Sequence, residues 1–200
     1  MSEERFRGTE SPRNRRDLRE ERQRERRRGR KLSGLTEFIA TILIAFALVF
    51  GFVRPFVVEA FYIPSESMVP TLEVGDRVFV NKFIYRFSKP ERGDIIVFQS
   101  VEGGDQTLIK RVVGVEGDEI RVQSGLLFVN GEAQNEPYLN DAGPSNDFYG
   151  PLTVPEDHIF VMGDNRGNSA DSRVFGPLPL ENVEGEAFLR FWPLSKIGTL

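Results

Sequence analysis

The sequence predicts a mostly β domain preceded by one transmembrane helix, and three observations carry that reading. After residue 55 the apolar residues come in short runs, many alternating with polar ones at the period of a half-buried strand. Gly-Asp and Asn-Gly pairs separate these runs, as turns between strands do. Before them stands Phe38–Val53, 16 residues without a charge and apolar on every side, which sets it apart from an amphipathic surface helix.

The elements follow in order. Residues 1–31 hold 13 Lys/Arg against 7 Asp/Glu, a balance of +6, whereas the rest of the chain carries −10. The segment 1–33 has too few apolar residues to build a core and is read as a disordered basic tail. Residues 34–54 are the predicted span: with Glu37 at headgroup level the apolar stretch reaches about 20 residues, enough for a hydrocarbon core of about 30 Å. Val58-Glu59-Ala60 loosely resembles a signal cleavage site, but the polar stretch in front is too long for a secretory leader. Ten Lys/Arg lie between Arg15 and Lys31 and only Arg54 flanks the other side, so the positive-inside rule puts the N-terminus in the cytoplasm. Residues 55–200 are then an extracytoplasmic domain long enough to bury its own core.

Within that domain strands are predicted at Ala60–Ile63, Arg77–Phe83, Asp94–Phe98, Thr107–Val115, His158–Met162 and Glu186–Trp192. Glu119–Val122 and Leu126–Val129 read as a hairpin around Ser124-Gly125, and Asn130-Gly131 as a tight turn. The Gly-Asp pairs beginning at Gly75, Gly93, Gly117 and Gly163 read as turns. The stretch Gln134–Pro155, rich in Asn, Asp, Gly and Pro, reads as a long surface loop.

Composition removes several chemistries. The chain has no cysteine, hence no disulfide, no cysteine nucleophile and no Cys-ligated metal. Its one histidine, His158, excludes a multi-histidine metal site and sits in a turn-like Pro-Glu-Asp-His context. An acidic body argues against nucleic acid as a partner.

Three segments stand out. In Pro64-Ser65-Glu66-Ser67-Met68-Val69-Pro70 two prolines stiffen a turn that carries two serines; this is either a turn with surface hydroxyls or a serine nucleophile on a rigid support. A serine needs a base, and a lysine can serve if burial makes it neutral near pH 7. Of the body's lysines, Lys89 and Lys196 sit in turn-like, polar surroundings, Lys82 near the end of a strand could go either way, and Lys110 interrupts an apolar strand, where it either points to water from an edge or sits buried and neutral. The third segment, Met162–Arg173, is dense in hydrogen-bonding side chains after an apolar strand. A calcium loop there would need more acidic oxygens and fewer arginines, so a buried polar network that supports a site fits better.

Together these segments resemble the bacterial type I signal peptidases, membrane-bound proteases with a Ser-Lys dyad. The likeness rests on PSESMVPTL, GDRVFVNKF, KPERGDIIVF, IKRVVGVEGD and GDNRGNSADSR, which occur in family order and span nearly everything from the apolar run to the C-terminus. It implies a signal-peptidase-type β-domain, akin to that of repressor-type proteases, whose substrates are the signal peptides of exported preproteins cut after small residues (Ala-x-Ala). It implies residue roles as well: Ser67 as nucleophile, Lys110 as general base, Ser65 with the Ser67 N–H as oxyanion hole, and Ser169 as the hydroxyl that orients the base. Asp164, Asp171, Arg111 and Arg173 match structural charges around the site, and Phe61, Ile63, Met68, Leu72, Leu108 and Ile109 match shallow substrate pockets. No metal or cofactor is implied. The expected partners are signal peptides and the lipid bilayer, not nucleic acid, with the protein acting as a monomer in the cell membrane.

Two departures from the family pattern are small: Glu66 stands where several members have glycine, and Phe175 where tryptophan is common. The short segment between Asp118 and His158 implies that the large extra β-domain of some members is absent or much reduced. A soluble self-cleaving repressor protease is disfavoured by Phe38–Val53. A membrane-anchored module that binds exported segments without cutting them would need a defect in the dyad, and Ser65, Ser67, Lys110 and Ser169 are all present.

Overall fold

Four apolar residues in succession, Ile95-Ile96-Val97-Phe98, need cover on both faces of one strand and partners on both of its edges. The computed structural model, which describes residue 34 and residues 36–53, 57–139 and 148–200, supplies both. In chain order the strands are β1 (Val58–Tyr62), β2 (Arg77–Asn81), β3 (Ile95–Gln99), β4 (Thr107–Val115), β5 (Glu119–Gln123) and β6 (Leu126–Val129). They continue with β7 (Glu132–Ala133), β8 (Phe148–Thr153), β9 (His158–Met162), β10 (Leu178–Pro179), β11 (Val183–Trp192) and β12 (Gly198–Thr199). The larger sheet runs β1-β2-β11-β3-β4-β9-β10 with β12 on β11, and a second sheet runs β7-β6-β5-β8. All pairings are antiparallel.

The period of two sorts β3 between two cores. Ile95 and Val97 pack with Ile63, Met68, Leu72, Val78 and Ile109, while Ile96 and Phe98 face the other way onto Val112, Ile159, Val161 and Leu178. A third cluster joins Val113, Phe160 and Met162 to Ile120, Val122 and Leu127 of the small sheet. Each fully buried Val, Leu, Ile or Phe contributes roughly 1.5–3 kcal/mol from burial, so three shared clusters outweigh any single polar contact.

Among the described residues, two of the open strand edges lie in the larger sheet at β1 and at the start of β4. β1 ends the larger sheet. β4 pairs with β3 over Thr107–Arg111, but its pairing with β9 covers only Arg111–Val115. Thr107–Lys110 therefore has a strand on one side alone among the described residues.

Turn chemistry matches the sequence reading closely. Ser124-Gly125 and Asn130-Gly131 take positive φ at both positions (52° and 80°; 53° and 84°), the left-handed pair that a two-residue hairpin requires. In three of the Gly-Asp pairs the glycine has φ of 98°, 105° and 84°, and the aspartates that follow, Asp76, Asp94 and Asp118, each accept from the N–H three residues back. Gly163 is different: its φ is ordinary, and a close approach demands it instead.

One expectation is corrected. Gln134–Pro155 is not all surface loop, because it contains β8, which pairs with β5 through a register shift. The Gly150-Pro151 composition that suggested a loop suits an edge strand, where the missing N–H of proline faces no partner and the glycine (φ 81°) lets the chain pass Ile120 O.

The described residues up to Gly51 and those from Phe52 onward form separate units. In the first, the backbone at 36–48 is α-helical and continues as a π-helical stretch over Val49–Val53. Its described side chains are exposed, and Phe46 and Phe50 stack at 4.1 Å one turn apart. Among the described residues no helix is long and apolar enough to cross a membrane. The predicted basic tail, and Leu35 and Arg54 of the predicted span, lie outside the described residues.

Candidate active site

The loop from Pro64 to Leu72 is fastened at both ends and from below. Ile63 N–H donates to Asp76 O (2.9 Å) and Gly75 N–H to Ile63 O (3.0 Å), closing the loop over the start of β2. Met68 and Leu72 are fully buried and anchor it in the core. Arg190 Nη1 holds Thr71 O at 3.0 Å. Ser67 is thereby set on a turn whose flanking residues cannot move independently.

A second loop, the one after β9, is bonded to the first. Asn165 N–H donates to Ser67 O (3.0 Å), and Asn165 Nδ2 to Glu66 O (3.1 Å). Contact is tight at Gly163: a Cβ there would lie 2.2 Å from Ser169 Oγ and 2.5 Å from Ser67 O. Only glycine lets the two loops come this close.

Lys110 arrives from the part of β4 whose second edge is open, yet only 2% of its surface is exposed. The alternative of a lysine pointing to water from an edge is overturned by that burial, not by the strand order. Its Nζ lies 2.8 Å from Ser67 Oγ and donates to Ile109 O, also at 2.8 Å. Burial lowers the lysine from its ordinary 10.5 to about 8, against the opposing pull of the Asp171 and Asp164 carboxylates. That shift decides its chemistry: at pH 7 about one such lysine in ten is neutral, against roughly one in 3,000 at the ordinary value. The other candidates are far less suited. Lys82 pairs with Glu59 (2.8 Å), Lys89 with Glu116 (3.0 Å) and Lys196 with Glu73 (2.7 Å), and all three are partly exposed. His158 Nδ1 is held by Glu156 O at 2.7 Å.

The two carboxylates that face Lys110 are themselves engaged. Arg111 grips Asp164 with two bonds, Nε–Oδ1 at 2.9 Å and Nη2–Oδ2 at 2.7 Å, and Thr71 Oγ1 also donates to Asp164. Asp171 accepts from Arg173 Nε (2.9 Å), Arg173 Nη2 (2.9 Å) and Gly163 N–H (3.0 Å). Burial alone would push the Asp171 carboxyl up; the Arg173 guanidinium and the Gly163 N–H outweigh it and hold it below the usual carboxylate value. Buried pairs of this kind add little net stability, because desolvation offsets attraction, but they fix geometry.

The remaining residues fall into place unevenly. Ser65 Oγ is 3.4 Å from Ser67 Oγ. Ser169 Oγ is buried beside Gly163 on the Asp171 side, where it helps to hold that carboxyl below its usual value. Ile63, Met68, Leu72 and Ile109 share one cluster, with Phe61 packed on it. Leu108 is not brought to them: strand alternation turns it to the opposite core, against Ile96 and Phe98.

Sequence reasoning gave no site role to five participants. Thr71 lay inside a quoted motif without a role. Gly163 was read as a turn glycine. Arg166 and Glu136 form a buried bidentate pair, and Tyr138 donates to Glu136 Oε1 at 2.7 Å. Their signal was hidden because Glu136 and Tyr138 sit in a polar, proline-containing stretch indistinguishable from a loop.

Against known proteins, residues 35–192 match the family model described as signal peptidase, peptidase S26. The chain is similar to signal peptidase I of Leptolyngbya laminosa, 45% identical over 175 residues, 84% of this chain and 85% of that one. It is likewise similar to signal peptidase I P of Bacillus subtilis subsp. natto, 42% identical over 178 residues, 84% of this chain and 95% of that one. A crystal structure of a signal peptidase I from Enterococcus faecalis V583 is 34% identical and aligns with a TM-score of 0.44, covering 50% of this chain and 97% of its own.

Proposed function

The chain belongs to the signal peptidase family, peptidase S26, and from that premise we propose that it is a serine endopeptidase that removes signal peptides from exported preproteins, with Ser67 as nucleophile and Lys110 as general base. The observation that carries the reading is the 2.8 Å approach of a buried lysine amine to a serine hydroxyl on a fastened turn. Neutral Lys110 takes the Ser67 proton as Oγ attacks the scissile carbonyl carbon. The oxyanion is received by the Ser67 N–H and the Ser65 hydroxyl. Lysinium then returns the proton to the leaving amine as the C–N bond breaks. A water, deprotonated by the same amine, attacks the acyl-enzyme, and Ser67 Oγ leaves with that proton.

Substrate binding is proposed as strand addition. The open stretch Thr107–Lys110 and the edge strand β1 offer backbone donors and acceptors to an extended peptide. Ile63, Met68, Leu72 and Ile109 form one apolar cluster with Phe61 packed on it, and the small side chains of the substrate are proposed to lie against this cluster. The apolar segment before Val57 is proposed as a single-pass anchor with the basic tail in the cytoplasm and the catalytic domain outside.

Purified full-length protein in detergent is expected to cut a preprotein with an Ala-x-Ala site on the C-terminal side of the second alanine, in the presence of a metal chelator, and to stay with membranes through alkaline extraction. An intact preprotein would overturn the catalytic reading, and release at alkaline pH the anchor.

Two further outcomes follow. A lysine that titrates near 8 and works as the free base makes kcat/KM climb about tenfold per pH unit below that value and level off above it. A profile flat between pH 6 and 9 in steady-state assays would exclude Lys110 as the base. Ser65→Ala removes one oxyanion donor, and kcat is expected to fall about 10²–10³-fold with little change in KM; an unchanged kcat would place the oxyanion elsewhere.

A further inference from the structure

The arm that leaves β7 does more than connect. Residues 134–139 carry side chains that end on two arginines of the network around the serine–lysine site. Glu136 takes Arg166 Nη1 at 2.9 Å and also accepts from Nη2, in a pair whose side chains are 7% and 6% exposed. Tyr138 lays its ring under Arg111, with the guanidinium carbon 4.0 Å from the ring centre. Its hydroxyl closes the two contacts into one unit by donating to Glu136.

Each arginine in turn holds something next to the dyad. Arg111 grips Asp164 and donates to Gly93 O at 2.9 Å. Arg166 Nε donates to Gly163 O at 3.1 Å, at the point where the two loops touch. The Arg166 carbonyl receives Arg173 Nη2 at 2.8 Å, and Arg173 clamps Asp171. The arm therefore reaches both carboxylates that face Lys110 by separate routes, yet makes no contact with Ser67 or Lys110 among the bonds of those residues.

We propose that Glu136 and Tyr138 are positioning residues of this active site: a strut from the small sheet that fixes Arg111 and Arg166, and through them Asp164, Asp171 and the Gly163 crossing. The proposal rests on the serine–lysine reading given above. Its physical basis is the cost of misplacement. Reacting groups displaced by about 1 Å can lose 10²-fold in rate, although no group that touches substrate has changed. A removed Glu136 also leaves the Arg166 guanidinium buried without its counter-charge, which forces that loop to rearrange.

The experiment compares Glu136→Gln, Tyr138→Leu and Tyr138→Phe in the full-length protein in detergent, at a temperature where all are folded by circular dichroism. Glu136→Gln and Tyr138→Leu are expected to lower kcat about 10–100-fold while KM stays within about twofold, since the peptide-binding edges are untouched. Tyr138→Phe keeps the ring beneath Arg111 and loses only the hydroxyl bond, so its kcat is expected to lie closer to wild type. Wild-type kcat in both of the first two variants, or a loss that appears entirely in KM, would overturn the strut. An independent readout is the exchange of the Arg111 and Arg166 Nε–H protons by NMR: protected in wild type and accelerated in both variants if the strut holds them, unchanged if it does not. Should wild type fail to cut any preprotein, the catalytic reading falls, and the exchange measurement alone decides the strut.

Discussion

Lys110→Met is expected to abolish cleavage, by at least about 10⁴-fold, without lowering stability. Loss of a general base alone is worth about 10²–10⁴ in rate, and where nucleophile and base act as one unit the loss is larger. Ser67→Ala is expected to be equally inactive. Stability moves the other way. The fold holds Lys110 near 8 rather than 10.5, so the unfolded chain binds more protons between those values and stability rises with pH across that window. Below pH 8 the buried lysine carries its full penalty, on the order of 3 kcal/mol before its hydrogen bonds to Ser67 and Ile109 are counted. Methionine of similar shape removes that penalty. The melting temperature of Lys110→Met at pH 7 should therefore be no lower than wild type, and its advantage should shrink toward pH 10. Residual activity above about one per cent, with the protein folded, would mean that another group is the base.

Gly163→Ala is the second large effect. Its Cβ would stand 2.2 Å from Ser169 Oγ and 2.5 Å from Ser67 O. Rotation could move Ser169 Oγ aside but not Ser169 Cβ, 2.6 Å away, and Ser67 O is backbone that Asn165 N–H holds. One loop has to retreat, carrying Ser67 away from Lys110. The expected result is a rate loss of about 10²-fold or more and a destabilisation of roughly 1–3 kcal/mol. Gly167→Ala, four residues on, is the control: a Cβ there meets nothing within 4 Å, so rate and melting temperature should stay near wild type. Equal damage from both substitutions would show that loop flexibility, not the crossing at Gly163, is what matters.

Local patterns made much of this protein legible. Strand positions follow from alternation, and β4 matches its predicted span residue for residue because its apolar run is long and cleanly bounded. The hairpin turns follow from residue types that alone tolerate left-handed backbone. Lys110 attracted attention because a charged residue inside an apolar strand is costly in any fold.

Other features have no local signature. Whether Lys110 pointed to water or to Ser67 decided between a solvated and a desolvated lysine, and Ser67 lies 43 residues away in the chain. Gly163 has the same neighbour as the three turn glycines, and only the meeting of two loops distant in sequence gives it a different reason to be glycine. Glu136 and Tyr138 were hidden because loop composition describes what a segment can tolerate, not what it touches. Leu108 and Ile109, adjacent in the chain and grouped together in the sequence reading, part to opposite cores once the pleat is set.

By itself, then, the sequence determined the residue types that carry chemistry, the period of each strand and the chemistry of each turn, since these depend on neighbours within a few residues. The tertiary structure decided the 2.8 Å contact between Ser67 and Lys110, the low proton affinity of that lysine and the routes by which distant arginines reach it. The Ser67–Lys110 contact joins residues 43 apart and the Arg111–Asp164 pair residues 53 apart, and no local pattern encodes either.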